Sequence, residues 1–166
     1  MSCYPPFVTF LTEELLPWTR QRYAITTDPR ETIVGGASMG GLAALFGAWQ
    51  RPDVFGNVLS QSGSVFWTPP GDADFEWLTR QFVTTERLPL RLYLEVGSLE
   101  NNPRVSVCPD GPTQLAATRH LRNVLQARGY SVHYAEHTGG HDYVCWSGTL
   151  ANGILALAGK ADNATT

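Results

Sequence analysis

The 166-residue chain is poor in charge: Asp, Glu, Lys and Arg together make up 16% of it. Acidic residues number 15 and basic ones 12, for a net charge of −3. No basic run occurs, which argues against nucleic acid or an anionic membrane surface as a partner. No apolar run approaches the ~18 residues that a membrane-spanning helix needs. Met1 to Arg20 carries Glu13 and Glu14 and has no basic amino-terminal region, so no secretory signal is expected there. Cysteine is scarce as well. Cys3, Cys108 and Cys145 are odd in number and unpatterned, which gives neither a disulfide framework nor a zinc site. A reducing, cytoplasmic setting is expected, with no cofactor and no metal. Internal repeats and low-complexity linkers are absent.

What is present is a 43% hydrophobic composition, enough for one domain, residues 1–166, with a sizeable core. Its organising stretch is Gly36-Ala37-Ser38-Met39-Gly40. Before it, Thr32 to Ala37 reads as a buried strand; after it, Met39 to Gln50 reads as a helix. A Gly-x-Ser-x-Gly pentapeptide between strand and helix is the setting of a nucleophile elbow. The serine sits at the apex of a tight turn, and the residues two before and two after it crowd each other. Glycine at Gly36 and Gly40 answers that demand. Met39 N–H then lies at a helix N-terminus, placed to help hold an oxyanion.

The rest of the chain alternates. Phe7 to Tyr23 has helical apolar spacing, with Pro17 expected to kink it. Val54 to Gln61, Leu90 to Val96 and Ser131 to Glu136 read as strands. Asp74 to Thr84, Gln114 to Ala127 (capped by Thr113 and stopped by Gly129) and Trp146 to Leu157 read as helices. Strands alternating with helices imply an α/β fold, a parallel sheet with helices on both faces. Ligands bind beyond the carboxyl ends of such strands, so partners for Ser38 are sought there.

Four histidines compete for the general base. His120 lies on the polar side of a helix and His133 is mid-strand. His137 and His141 both lie past a strand end, and Gly139-Gly140 lets the loop carrying His141 curl over the sheet. For the orienting acid, Glu95 points into the sheet packing and Asp142 adjoins His141, which is poor geometry. Glu100 lies just past a strand end, giving the chain order serine, acid, histidine found in α/β-hydrolases. Asp110 stays open as an alternative, because its loop is long enough to reach.

These stretches resemble the carboxyl-terminal part of the enterochelin esterase and esterase D branch of α/β-hydrolases. Those that carry the resemblance are Glu13 to Trp18, Gly36 to Leu42, Phe55 to Ser64, Tyr93 to Glu100 and Gly139 to Trp146. It implies Ser38 as nucleophile, His141 as base, Glu100 as acid, and Trp67 lining the substrate cleft. The implied function is serine esterase chemistry through an acyl-enzyme, on siderophore-type or acylated polyol esters. Acyl transfer would use the same residues, and an impaired fragment serving as a folding or interaction module is the alternative. Family members begin with several strands that have no counterpart here. The expectation is therefore a truncated α/β-hydrolase domain that lacks the loop carrying a second oxyanion donor. An open apolar edge beside the elbow strand would invite self-association.

Overall fold

A computed structural model of the chain describes residues 3–102 and 110–159; Cys108 lies outside them. Four strands form one sheet: β1 (Ile33–Ala37), β2 (Asn57–Gln61), β3 (Arg91–Gly97) and β4 (Ser131–His137). All neighbours are parallel and the order is β1-β2-β3-β4. The register sets Ala37 beside Gln61, Gln61 beside Glu95, and Glu95 beside Ala135. The strands end on one side of the sheet, β3 and β4 two residues beyond β1 and β2, and the residues that follow them share one rim.

Alternation along the strands feeds two faces. Val58 of β2 and Leu92 and Leu94 of β3 join the larger core. They meet α3 (Met39–Gln50), α4 (Trp77–Thr84) and α5 (Gln114–Ala127), through residues such as Leu42, Leu45, Phe82 and Leu121. Leu59 and Tyr93 point the other way, onto Leu157 of α6 (Tyr143–Ala158). The approach there is close: a Cβ added at Gly153 of α6 would sit 2.7 Å from a Leu59 methyl. Helices thus cover both faces of a parallel sheet, the α/β-hydrolase-like arrangement expected. Among the described residues no helix is long and apolar enough to cross a membrane.

Helices α3 and α5 start and stop where the sequence places them. Thr113 Oγ1 caps α5 by accepting from Ala116 N–H at 3.2 Å, and Gly129 ends it at φ +76°. Other elements differ for identifiable reasons. The first helix is split into α1 (Pro5–Thr9), a π-helical segment (Phe10–Leu15) and α2 (Leu16–Arg20). Pro17 has no N–H, and its ring crowds the preceding turn. The widened turn, with Leu16 N–H bonded to Leu11 C=O, accommodates it without a break.

Strand β2 begins at Asn57 rather than Val54, because Val54 and Phe55 N–H both fold back onto Arg51 C=O at 3.0 Å. Helix α4 begins at Trp77 rather than Asp74, since Glu76 is left-handed at φ 60° and stops the helix from extending upstream. Helix α6 begins earlier than expected, at Tyr143, because Asp142 caps it.

Candidate active site

One residue separates β1 from α3, so the chain must reverse at Ser38. Its φ of 55° and ψ of −124° lie where an L-residue is strained. Backbone bonds hold it there: Ser38 N–H donates to Gln61 C=O at 2.9 Å, and its C=O accepts from Leu42 N–H (3.1 Å) and Ser64 N–H (3.0 Å). A Cβ on Gly36 would lie 2.6 Å from the Gly40 backbone, so glycine there is a steric requirement. A Cβ on Gly40 would meet nothing within 4 Å. The crowding expected at both positions is thus confined to Gly36.

Glu100 and His141 arrive from the next strand ends. Leu99 N–H donates to Gly139 C=O at 3.0 Å and Ser98 N–H to His137 C=O at 2.9 Å, stitching the loop after β4 to the loop after β3. Gly97 permits this approach, because a Cβ there would collide with the Gly139 carbonyl oxygen. His141 Nε2 then lies 2.8 Å from Ser38 Oγ, and its Nδ1 lies 2.6 Å from Glu100 Oε2. An ionised carboxylate only accepts, so Nδ1 carries the proton and Nε2 faces the serine hydroxyl as acceptor. The Glu100 side chain is 3% exposed and that of His141 41%. Burial pushes the Glu100 pKa up. Hydrogen bonds from His141, Ser62 and Gly97 outweigh it and leave the carboxyl below its ordinary value. The carboxylate is thus charged where it must face the imidazole.

The other candidates have different surroundings. Asp142 accepts from Cys145 N–H at 2.9 Å as the cap of α6, while His141 Nδ1 is engaged by Glu100. Asp110 is exposed, and the imidazole nitrogen it would have to reach is engaged by Glu100. Glu95 is 1% exposed and accepts from Gln61 and Thr149 between β3 and α6. His120 pairs with Glu76 at 2.6 Å, and His133 is exposed on β4. His137 closes β4, with both ring nitrogens buried and without a hydrogen-bond partner. Met39 opens α3 with its N–H at the helix N-terminus, beside Ser38. Trp67 is half-buried and edge-on to Trp77 at 6.3 Å, and its backbone N–H donates to Ser64 C=O at 3.0 Å. Among the described residues no cluster of His, Cys, Asp and Glu could hold a metal ion.

Three residues at this rim carry contacts that the motif reading missed. Ser64 Oγ is 3.5 Å from Ser38 Oγ, Ser62 Oγ is 2.6 Å from Glu100 Oε1, and the Trp146 ring stands edge-on to His141 at 4.9 Å. The available signal was topological. Ser62-Gly63-Ser64 follows β2, between the strands that deliver Ser38 and Glu100.

The family model described as "Putative esterase" matches residues 2–157. The chain belongs to this esterase family. It is 36% identical over 155 residues to the iron(III) salmochelin esterase of Escherichia coli O6:H1 (strain CFT073), across 87% of this chain and 35% of that protein. It is 32% identical over 161 residues to the iron(III) enterobactin esterase of Escherichia coli K12, across 95% of this chain and 37% of that protein. The crystal structure of the enterobactin esterase from Shigella flexneri in the presence of enterobactin superposes with a TM-score of 0.79 at 32% identity. That match covers 94% of this chain and 37% of the other. The chain thus spans little more than a third of the length of these relatives. A ferulic acid esterase, 16% identical with a TM-score of 0.71, shares the fold.

Proposed function

We propose that this esterase-family chain is a single catalytic domain that hydrolyses carboxylic esters by a serine mechanism, with siderophore-type esters as substrate. The observation that carries the reading is the unbroken line from Ser38 Oγ through His141 to Glu100, at 2.8 and 2.6 Å. In the first step Ser38 Oγ attacks the ester carbonyl carbon while His141 Nε2 takes its proton. The negative charge that forms on the carbonyl oxygen lies toward Met39 N–H and the positive end of α3. Collapse expels the alcohol, which leaves with the proton from Nε2. The acyl group stays on Ser38 until a water, deprotonated by the same nitrogen, releases it as the acid. Glu100 holds the imidazole tautomer and stabilises the imidazolium. Trp67, three residues beyond Ser64, lines the substrate cleft. Siderophore-type substrates are favoured because the salmochelin and enterobactin esterases resemble the chain over 87% and 95% of its length.

The test is hydrolysis of a short-chain nitrophenyl ester by the purified protein, with Ser38→Ala as control. Labelling by a fluorophosphonate is a parallel readout of Ser38 activation. Turnover and labelling are expected in the wild type and absent from Ser38→Ala. Equal rates in the two proteins would overturn the reading.

A further inference from the structure

Glu100 is the only member of the proposed catalytic line whose side chain is almost wholly buried, and it has two oxygens to place. Oε2 meets His141. Oε1 accepts twice, from Gly97 N–H at 2.8 Å and from Ser62 Oγ at 2.6 Å. Ser62 Oγ is in turn 3.1 Å from Trp146 Nε1. An indole N–H can only donate, so at Ser62 it occupies a lone pair of the hydroxyl. The hydroxyl has one proton, and among the described residues the acceptor facing it is the Glu100 carboxylate. The direction of the whole chain is therefore fixed: Trp146 N–H to Ser62, Ser62 O–H to Glu100, and His141 N–H to Glu100 from the other side.

Two further features make this arrangement more than incidental packing. Ser62 is fully buried and sits at φ 45°, a left-handed backbone that a serine adopts at a cost. Its N–H is tied to Glu95 C=O at 2.8 Å, which holds it there. Trp146 is anchored as well. Its C=O accepts from buried Gln61 Nε2 at 2.8 Å, and its ring stands at 87° to the imidazole it flanks. The indole therefore touches both ends of the acid–base pair, the ring of His141 directly and the carboxylate of Glu100 through one hydroxyl.

We infer that Ser62 and Trp146 are positioning residues for the acid of this site, a polarised donor relay that aims the Glu100 carboxylate at His141 Nδ1. This inference rests on the serine esterase reading above. It adds a requirement that the motif residues do not contain. Without the relay, Gly97 N–H alone would restrain Oε1, the carboxylate would rock, and the imidazolium formed in the transition state would lose its aligned partner.

The experiment compares Ser62→Ala, Trp146→Phe and the double variant with wild type. Trp146→Phe keeps a ring beside His141 and removes only the N–H. One readout is nitrophenyl ester turnover. The other is the His141 Nδ1–H resonance in proton NMR, which a short bond to a carboxylate moves far downfield. Ser62→Ala is expected to lower kcat about tenfold, the scale of a hydrogen bond to a charged group, with KM within about twofold. Trp146→Phe is expected to lower kcat less, and the double variant to match Ser62→Ala, since the indole acts through the hydroxyl. The downfield resonance should weaken or move upfield in all three. Additive losses, or an unchanged resonance with kcat within twofold of wild type, would overturn the relay. Should Ser62→Ala not fold, Trp146→Phe decides alone by the same two readouts. Should the wild type neither turn over nor label, the esterase reading fails, and the resonance still decides whether Ser62 and Trp146 aim Glu100.

Discussion

Ser38 combines two demands that conflict: its hydroxyl must face His141, and its backbone must turn in one residue. The φ of 55° is the result. Strain of this kind costs about 1–3 kcal/mol, and glycine would relieve it. Ser38→Gly and Ser38→Ala both remove the hydroxyl, so comparing them isolates the backbone. We expect Ser38→Gly to be the more stable of the two by about 1 kcal/mol in urea unfolding, after allowing for the greater flexibility of glycine in the unfolded chain. Equal stabilities would mean that the turn stores no strain at this residue. That Ser38, Glu100 and His141 would meet was legible because each belongs to a short motif at a strand end. Ser62 and Trp146 were not. Both lie in stretches that carry the family resemblance, but no role attaches to either there, and their contacts depend on φ at Ser62 and on the rotation of α6. The choice between Glu100 and Asp110 also needed structure, since both follow β3 and only coordinates say which carboxylate reaches His141 Nδ1.

Between elements, the ties at the rim are backbone bonds and the ties at the outer edge are charges. Arg119 of α5 makes a two-pronged contact with Glu136 of β4 at 2.7 and 2.8 Å, and Tyr134 O–H donates to the same carboxylate. Arg119 first, and Tyr134 after it, hold the Glu136 pKa down from 4.5 to about 2. A carboxyl depressed in the folded state stabilises fully above its unfolded value, and the contribution fades as pH falls through the folded one. The wild type should therefore melt above Glu136→Gln at pH 6, and the gap should close between about pH 4.5 and 2. Thermal melts across that range check it; a gap independent of pH would assign the difference to packing. Element boundaries were legible where a cap or stop is written in the sequence, as at Thr113 and Gly129. They were obscured at Val54 and Phe55, apolar residues buried by a turn rather than a strand. The π-helical turn before Pro17 has no sequence signal beyond the proline, which is as compatible with a kink.

For the molecule as a whole, the parallel sheet with its two helical layers followed from alternation alone. Strand order did not, because periodicity says nothing about which strand lies beside which. Strand β1 is an edge of the described sheet, and its Ile33 and Val34 are only half-buried. Helix α6 contains no charged residue, and it exposes Val144, Ile154 and Leu155. An unpaired edge and an apolar helix face both favour association. The 18.2 kDa chain is expected to elute in size-exclusion chromatography as a species larger than a monomer. A single monomeric peak at all concentrations would count against it. The sheet order β1-β2-β3-β4 also carries a timetable. Each strand, as it leaves the ribosome, finds its neighbour already made, so the sheet can grow outward in one direction without waiting for a later segment. Ser38, the proposed nucleophile, follows β1, and Glu100, the proposed acid, follows β3. His141, 103 residues after Ser38, comes last. A chain halted before β4 would hold a three-stranded sheet, a strained serine and a carboxylate with nothing to orient. Reactivity toward a fluorophosphonate should accordingly be the last property to appear during refolding, after the sheet itself.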